Sequence, residues 1–163
     1  MQNYARMANE YSWCLIMEMM GYEHLGSGAF RDVFAINDKW VVKIAKLDEQ
    51  GSRIDGVMAN ISEFNTWSEV QDGSHYQRIR EWLAPVKEMT GDGVALVQAR
   101  TTPVDKSELP EKLPRWITDQ KASNCGTLNG NIVFHDYQWV LSINDMVRNH
   151  KLINANWEHK LNK

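Results

Sequence analysis

With 163 residues, 43% of them hydrophobic and 24% charged, the chain has the makings of one globular domain with its own core and is too short for two comfortable ones. Four prolines and ten glycines exclude a low-complexity chain. A formal charge of −3 excludes the basic stripe that neutralises a phosphate backbone, so no nucleic-acid partner is expected.

Residues 2–20 place Tyr4, Met7, Tyr11, Cys14 or Leu15, and Met19 at helical spacing, which predicts an amphipathic N-terminal helix stopped at Gly21. Its apolar stretch WCLIMEMMGY is broken by Glu18 and falls well short of the roughly 20 residues of a membrane helix. Only Arg6 precedes it as a basic residue, and no small-residue cleavage site follows. No membrane partner is expected, and a cytoplasmic location is.

From Tyr22 the period changes to two. YEHLGSG, RDVFAIN and KWVVKIAK read as three strands, the last two joined by the turn INDK. After a polar loop, VMANISEFNTWSEVQ carries Val57, Ile61, Phe64 and Val70 on one helical face, and HYQRIREWLA is a second helical or turn segment closed by Pro85. APVKEMT and GVALVQART flank GDG as a hairpin. The expected fold is therefore α+β, with a five-stranded antiparallel sheet and one helix packed on it. TTPVDKSELPEKLP holds three of the four prolines and reads as a crossing between lobes. A short helix around Trp116 to Lys121 is expected next, then a loop SNCGTLNGN, strands NIVFH and QWVLSI around DYQ, and a partly helical end. The expected divisions are an N-terminal helix in 1–21, an N-terminal lobe in 22–101 and a reduced C-terminal lobe in 102–163.

Cys14 and Cys125 form no CxxC pair and read as reduced thiols. The five histidines lack metal-ligand spacing, so no structural metal is expected.

The stretch LGSGAFRDVFAINDKWVVKIAK carries chemistry. Glycines at 26 and 28 let a backbone turn approach phosphate oxygens, and a lysine on a nearby strand reaches them as a point charge. This stretch resembles the glycine-rich loop and third strand of protein kinases, with Gly26, Gly28 and Val33 in register and Lys43 where the strand lysine stands. The third glycine is Arg31 here. The resemblance implies a nucleotide-binding set of Gly26, Gly28, Val33, Lys43 and a partner glutamate, Glu63 or else Glu69, with ATP and Mg²⁺ as cofactors. Within kinases the chain is most similar to the small early serine/threonine kinases of podophages, which implies Asn131 and Asp145 as the metal-binding pair.

Counted back from Asn131, the family's spacing puts Gly126 where the catalytic aspartate belongs, and the DFG motif reads DMV at Asp145. Asp119 substitutes only if its loop folds back. Only 18 residues follow Asp145, too few for an activation segment. On that register the expected function is a degenerate, phage-encoded kinase-like protein that binds and modulates a host protein. The alternative is a minimal ATP-dependent serine/threonine kinase with Asp119 or Asp136 as base. A third reading keeps the fold without nucleotide, Arg31 filling the phosphate space. For partner binding, Trp13, Trp67, Trp82, Trp116 and Trp157 are the candidate anchors, Trp157 first among them.

Overall fold

A computed structural model describes residues 12–138 and 142–157. The chain is α+β and carries a five-stranded antiparallel sheet. The part of the expected N-terminal helix before residue 12 lies outside the described residues, as do Trp13's side chain and residues 139–141. Among the described residues, no helix is long and apolar enough to cross a membrane.

The molecule divides into two compact units. One comprises the chain up to Ile61 together with Lys87–Gln98, and the other Ser62–Val86 together with the chain from Ala99 onward. Ser62–Val86 thus groups with the chain from Ala99 onward and not with the strands that flank it in sequence. The reason is backbone pairing: Leu83 bridges Phe134, the Ala84 N–H donates to the Phe134 carbonyl at 2.8 Å, and the Phe134 N–H donates to the Trp82 carbonyl at 2.8 Å. These bonds bind the segment before Val86 to the C-terminal part.

In the first unit α1 (Ser12–Met19) ends at Gly21, whose φ of 76° allows the left-handed turn that closes a helix. Strands β1 (His24–Ser27), β2 (Arg31–Ala35) and β3 (Trp40–Ala45) follow. The Asn37 side chain accepts from the Lys39 and Trp40 amides at 2.8 and 3.0 Å and so makes the turn between β2 and β3. Alternation in these strands divides the residues between two faces. Phe34, Val42 and Ile44 form a core with Met17 of α1 and with Ala95. Burying each of the large apolar side chains is worth about 1.5–3 kcal/mol.

The opposite face receives the start of α2 (Ile54–Val70). Close approach requires glycine here, because a Cβ on Gly56 would lie 2.5 Å from the Phe30 carbonyl oxygen and 2.8 Å from Ala45. Asn60, fully buried, donates to the Gly93 and Val94 carbonyls at 2.9 and 3.2 Å. After α3 (Gln77–Arg80), β4 (Val86–Met89) and β5 (Ala95–Ala99) complete the sheet in the order β1-β2-β3-β5-β4.

In the second unit β6 (Thr102–Pro103) and β7 (Lys112–Pro114) come from the proline-rich crossing. No helix forms at 116–121. Two buried side chains, Trp116 and Ile117, pin the start of that segment, and it runs as a turn and loop into a short 3₁₀ turn at Ala122–Asn124. Of the expected strand pair, NIVFH forms a strand, and residues 139–141 of QWVLSI lie outside the described residues. Strands β8 (Cys125–Leu128) and β9 (Asn131–Phe134) pair around Asn129 and Gly130, and β6 joins them on the β8 side. Positive φ at both turn residues, 52° and 80°, is the two-residue hairpin geometry that Asn-Gly favours. Ile143 opens helix α4 (Ile143–Arg148), and β10 (Leu152–Asn154) returns to pair with β7.

Candidate active site

In the first unit the register of three strands brings the sequence candidates together. Gly26 is opposite Val33, and Val33 is opposite Lys43, so the three stand abreast across β1, β2 and β3. Directly opposed residues share a face of the sheet. Lys43 is buried there at 4% exposure. Neither Gly26 nor Gly28 has positive φ, a Cβ at Gly26 would meet nothing within 4 Å, and one at Gly28 would make only an ordinary contact, 3.7 Å from the Arg31 oxygen. Nothing in the folded chain therefore demands glycine at either position, and the backbone there is open to close approach.

Arg31 does not stand free in that opening. Its Nη1 donates to Asn60 Oδ1 at 3.3 Å, and Arg31 is 6% exposed. The residue expected to fill the phosphate space is committed to an interior partner. A second cation does reach the glycine turn: Lys46 Nζ donates to Ser27 Oγ at 2.8 Å and to the Gly28 carbonyl at 3.2 Å. Lys46 was missed because a strand-end lysine has no distinguishing spacing.

In the second unit the candidates from the first-counted register are dispersed. Gly126 lies inside β8 opposite Val133, where a Cβ would sit 2.6 Å from both Thr101 Oγ1 and the Thr102 oxygen. It is a close-packing glycine on a strand, and no loop passes through that position. Asn131 is exposed at the start of β9. Asp145 sits in the first turn of α4 and accepts from the Ser142 hydroxyl at 2.6 Å, while Ser142 caps the helix by accepting from the Asp145 amide at 3.3 Å. That is the work of a helix-terminal carboxylate.

A different set converges. Asp119 and Asp136 line one cavity of about 20 Å³ together with Trp116, Ile117, Thr118, Phe134 and Tyr137. The loop carrying Asp119 does fold back: the Asn124 side chain donates to the Asp119 carbonyl at 3.4 Å, and the Asn124 amide donates to the Lys121 carbonyl at 3.0 Å. The Asn124 carbonyl in turn accepts from the His135 and Asp136 amides at 2.9 and 3.3 Å. Asp119 faces the Lys121 ammonium at 3.2 Å. The indole nitrogen of fully buried Trp116, on the cavity wall, has no hydrogen-bond partner among the described residues.

Glu63 and Tyr137 complete this neighbourhood. Fully buried Glu63 accepts from the Tyr137 amide at 3.3 Å, and the Tyr137 hydroxyl donates to the Ala84 carbonyl at 3.0 Å. Glu69, the alternative, is exposed. Asp119 and Asn124 stand five positions apart, and the hairpin of β8 and β9 then leads from Asn124 to Asp136 and Tyr137. The available signal was Asn129-Gly130, which marks a hairpin turn between 125–128 and 131–134.

Other chemistry is weak here. Burial pushes the Cys125 thiol up to about 11, which leaves it protonated and poorly nucleophilic at neutral pH. Among the described residues no group of three or more His, Cys, Asp and Glu is placed to hold a metal. Magnesium requires less, since one or two carboxylates with substrate phosphates satisfy it, and Asp119 and Asp136 are two carboxylates that line one cavity. Trp157, the first-ranked anchor, is fully buried; its indole N–H donates to the Pro110 carbonyl at 3.0 Å and its ring stacks on Phe134. Trp116 is likewise buried.

The chain matches no protein-family model and no curated protein.

Proposed function

We propose that this chain is a nucleotide-dependent phosphotransferase of the serine/threonine kinase kind. The observation that carries the proposal is the convergence of Asp119 and Asp136 on one cavity, with Asn124 tied to both segments. Asp119 is assigned the base: it accepts the proton of a substrate hydroxyl as that oxygen bonds to the γ-phosphorus and the bond to the leaving diphosphate oxygen breaks. Lys121, paired with Asp119, supplies positive charge beside it. Asp136 and the Asn124 side-chain oxygen would hold a magnesium ion, which would supply positive charge against the phosphates. In the first unit by itself, Gly26, Gly28 and Lys43 are proposed to contact nucleotide phosphate, and a cytoplasmic setting belongs to the same reading.

The expectation of a catalytically dead protein rests on Gly126 at the base position, on DMV in place of DFG and on the 18 residues after Asp145, and a base at Asp119 answers the first of these. A second proposal, binding of a host protein without transfer, draws on one observation: Trp67 and Trp82 line an open groove of about 570 Å³.

The test is a thermal shift with ATP and Mg²⁺, followed by radiolabel transfer from γ-labelled ATP to a mixed protein substrate. ATP at about 100 times its dissociation constant adds about 2.7 kcal/mol, or about 5–10 °C in Tm for a chain of this size. Lys43→Met should remove most of that shift. Absence of both shift and transfer overturns the phosphotransferase and leaves the binding proposal.

A further inference from the structure

His135 is placed where one side chain joins three segments. Its Nδ1 is 2.8 Å from Thr101 Oγ1, and its Nε2 is 2.9 Å from the Ser123 carbonyl oxygen. A carbonyl only accepts, so Nε2 carries a proton; in the neutral ring Nδ1 is then the acceptor and the Thr101 hydroxyl donates to it. Meanwhile the His135 amide donates to the next carbonyl along, that of Asn124, at 2.9 Å. One residue thus grips two successive carbonyls at the end of the loop that begins with Asp119. Its chain neighbour is Asp136.

Thr101 is held in its turn by strand packing. Gly126 allows Thr101 and Thr102 to approach β8 more closely than any Cβ would permit, and Thr127 Oγ1 donates to the Thr102 carbonyl at 3.2 Å. Gly126 therefore sets the position of the hydroxyl that orients His135.

We propose that His135 is a positioning residue that fixes the Asp119–Asn124 loop against Asp136, with Thr101 setting the orientation of its ring. The inference rests on the assignment of Asp119 and Asp136 as the reacting and metal-holding carboxylates. A base displaced by about 1 Å from its hydroxyl loses on the order of 100-fold in rate, whereas nucleotide affinity does not depend on where the base stands. The predicted signature is accordingly a loss in kcat without a matching change in KM for ATP.

The experiment pairs kinetics with hydrogen exchange on the full chain. His135→Ala should lower kcat about 100-fold with KM for ATP unchanged. Amides in 119–125 should exchange about tenfold faster, with β1 to β3 unchanged. Thr101→Val, which keeps shape but removes the hydroxyl, should lower kcat about fivefold, the weight of one neutral hydrogen bond, and Thr101→Ser should restore it. His135→Gln, able to donate to the Ser123 carbonyl, should recover part of the loss. If His135→Ala fails to fold, the Thr101 pair decides. Unchanged exchange in 119–125, or full kcat in His135→Ala, overturns the proposal. A wild-type chain without transfer activity instead overturns the phosphotransferase, and exchange in 119–125 then decides whether His135 holds the loop.

Discussion

Two segments of the second unit carry the same ingredients, an asparagine, a strand and an aspartate, yet only one assembles them. In 119–137 the aspartates flank a β-hairpin whose turn returns the chain, and Asp119 and Asp136 come to line one cavity. In 131–145 the asparagine is exposed at a strand start and the aspartate is spent on a helix terminus with Ser142. Identical residue types thus acquire different chemistry from where the chain turns. A motif is legible only when its connecting turn has been read correctly.

The largest effect separates these two segments directly. Asp136→Asn should reduce phosphate transfer by about 1000-fold, the scale of losing one key electrostatic group in an active site. Asp145→Asn should leave transfer unchanged and lower stability by only about 0.3–1 kcal/mol, the value of a carboxylate at a helix start. Equal losses of transfer in the two variants would restore the register that begins at Asn131. Parallel radiolabel assays and thermal melts measure both.

The glycines sharpen the contrast between units. Gly126→Ala forces a Cβ into contacts of 2.6 Å with Thr101 and Thr102, and overpacking of that kind costs about 1–3 kcal/mol. Gly26→Ala meets nothing and should change stability by less than about 0.5 kcal/mol. Its effect should appear only with nucleotide present, as a smaller ATP-induced shift in Tm. Denaturant melts of both variants, with and without ATP, check this; a Gly26→Ala variant with an undiminished shift would separate that glycine from phosphate binding.

The smallest effect lies in the GDG turn of the first unit. The Thr90 hydroxyl and then the Val94 amide donate to Asp92 at 2.6 and 3.0 Å and hold its carboxyl below the ordinary value of 3.8. A depressed carboxylate stabilises the fold above its unfolded pKa, and that contribution fades as pH falls below about 3.8 toward the folded value. Asp92 is mostly exposed, so the difference in Tm between wild type and Asp92→Asn should be small at pH 7 and smaller at pH 3. A gap that widens on acidification would contradict the assigned hydrogen bonds.

The first unit was legible because its signals are local. Period-two alternation at 31–35 and 40–45 marks strands, Asn37 marks a turn, and the apolar residues at 57 and 61 mark the start of the helix, each within reach of its own neighbours. The row of Gly26, Val33 and Lys43 follows from those strands once their register is known. In the second unit the signals mislead. Trp116 and Ile117 look like a helix face, but both are buried by unlike neighbours, and the loop after them takes its path from bonds to residues far along the chain, Gln120 to Asn156 and Asn124 to His135. Tryptophan content likewise could not separate Trp157, stacked on Phe134, from Trp67 and Trp82 at an open groove.

The amino-acid sequence alone determined the α+β class and the five-stranded sheet, because alternation and turn residues act over a few positions. Only the tertiary structure decided which aspartates meet. That depends on a glycine at 126 that admits Thr101 and on His135 bonding across 34 positions of chain to Thr101, both long-range conditions with no local period to reveal them.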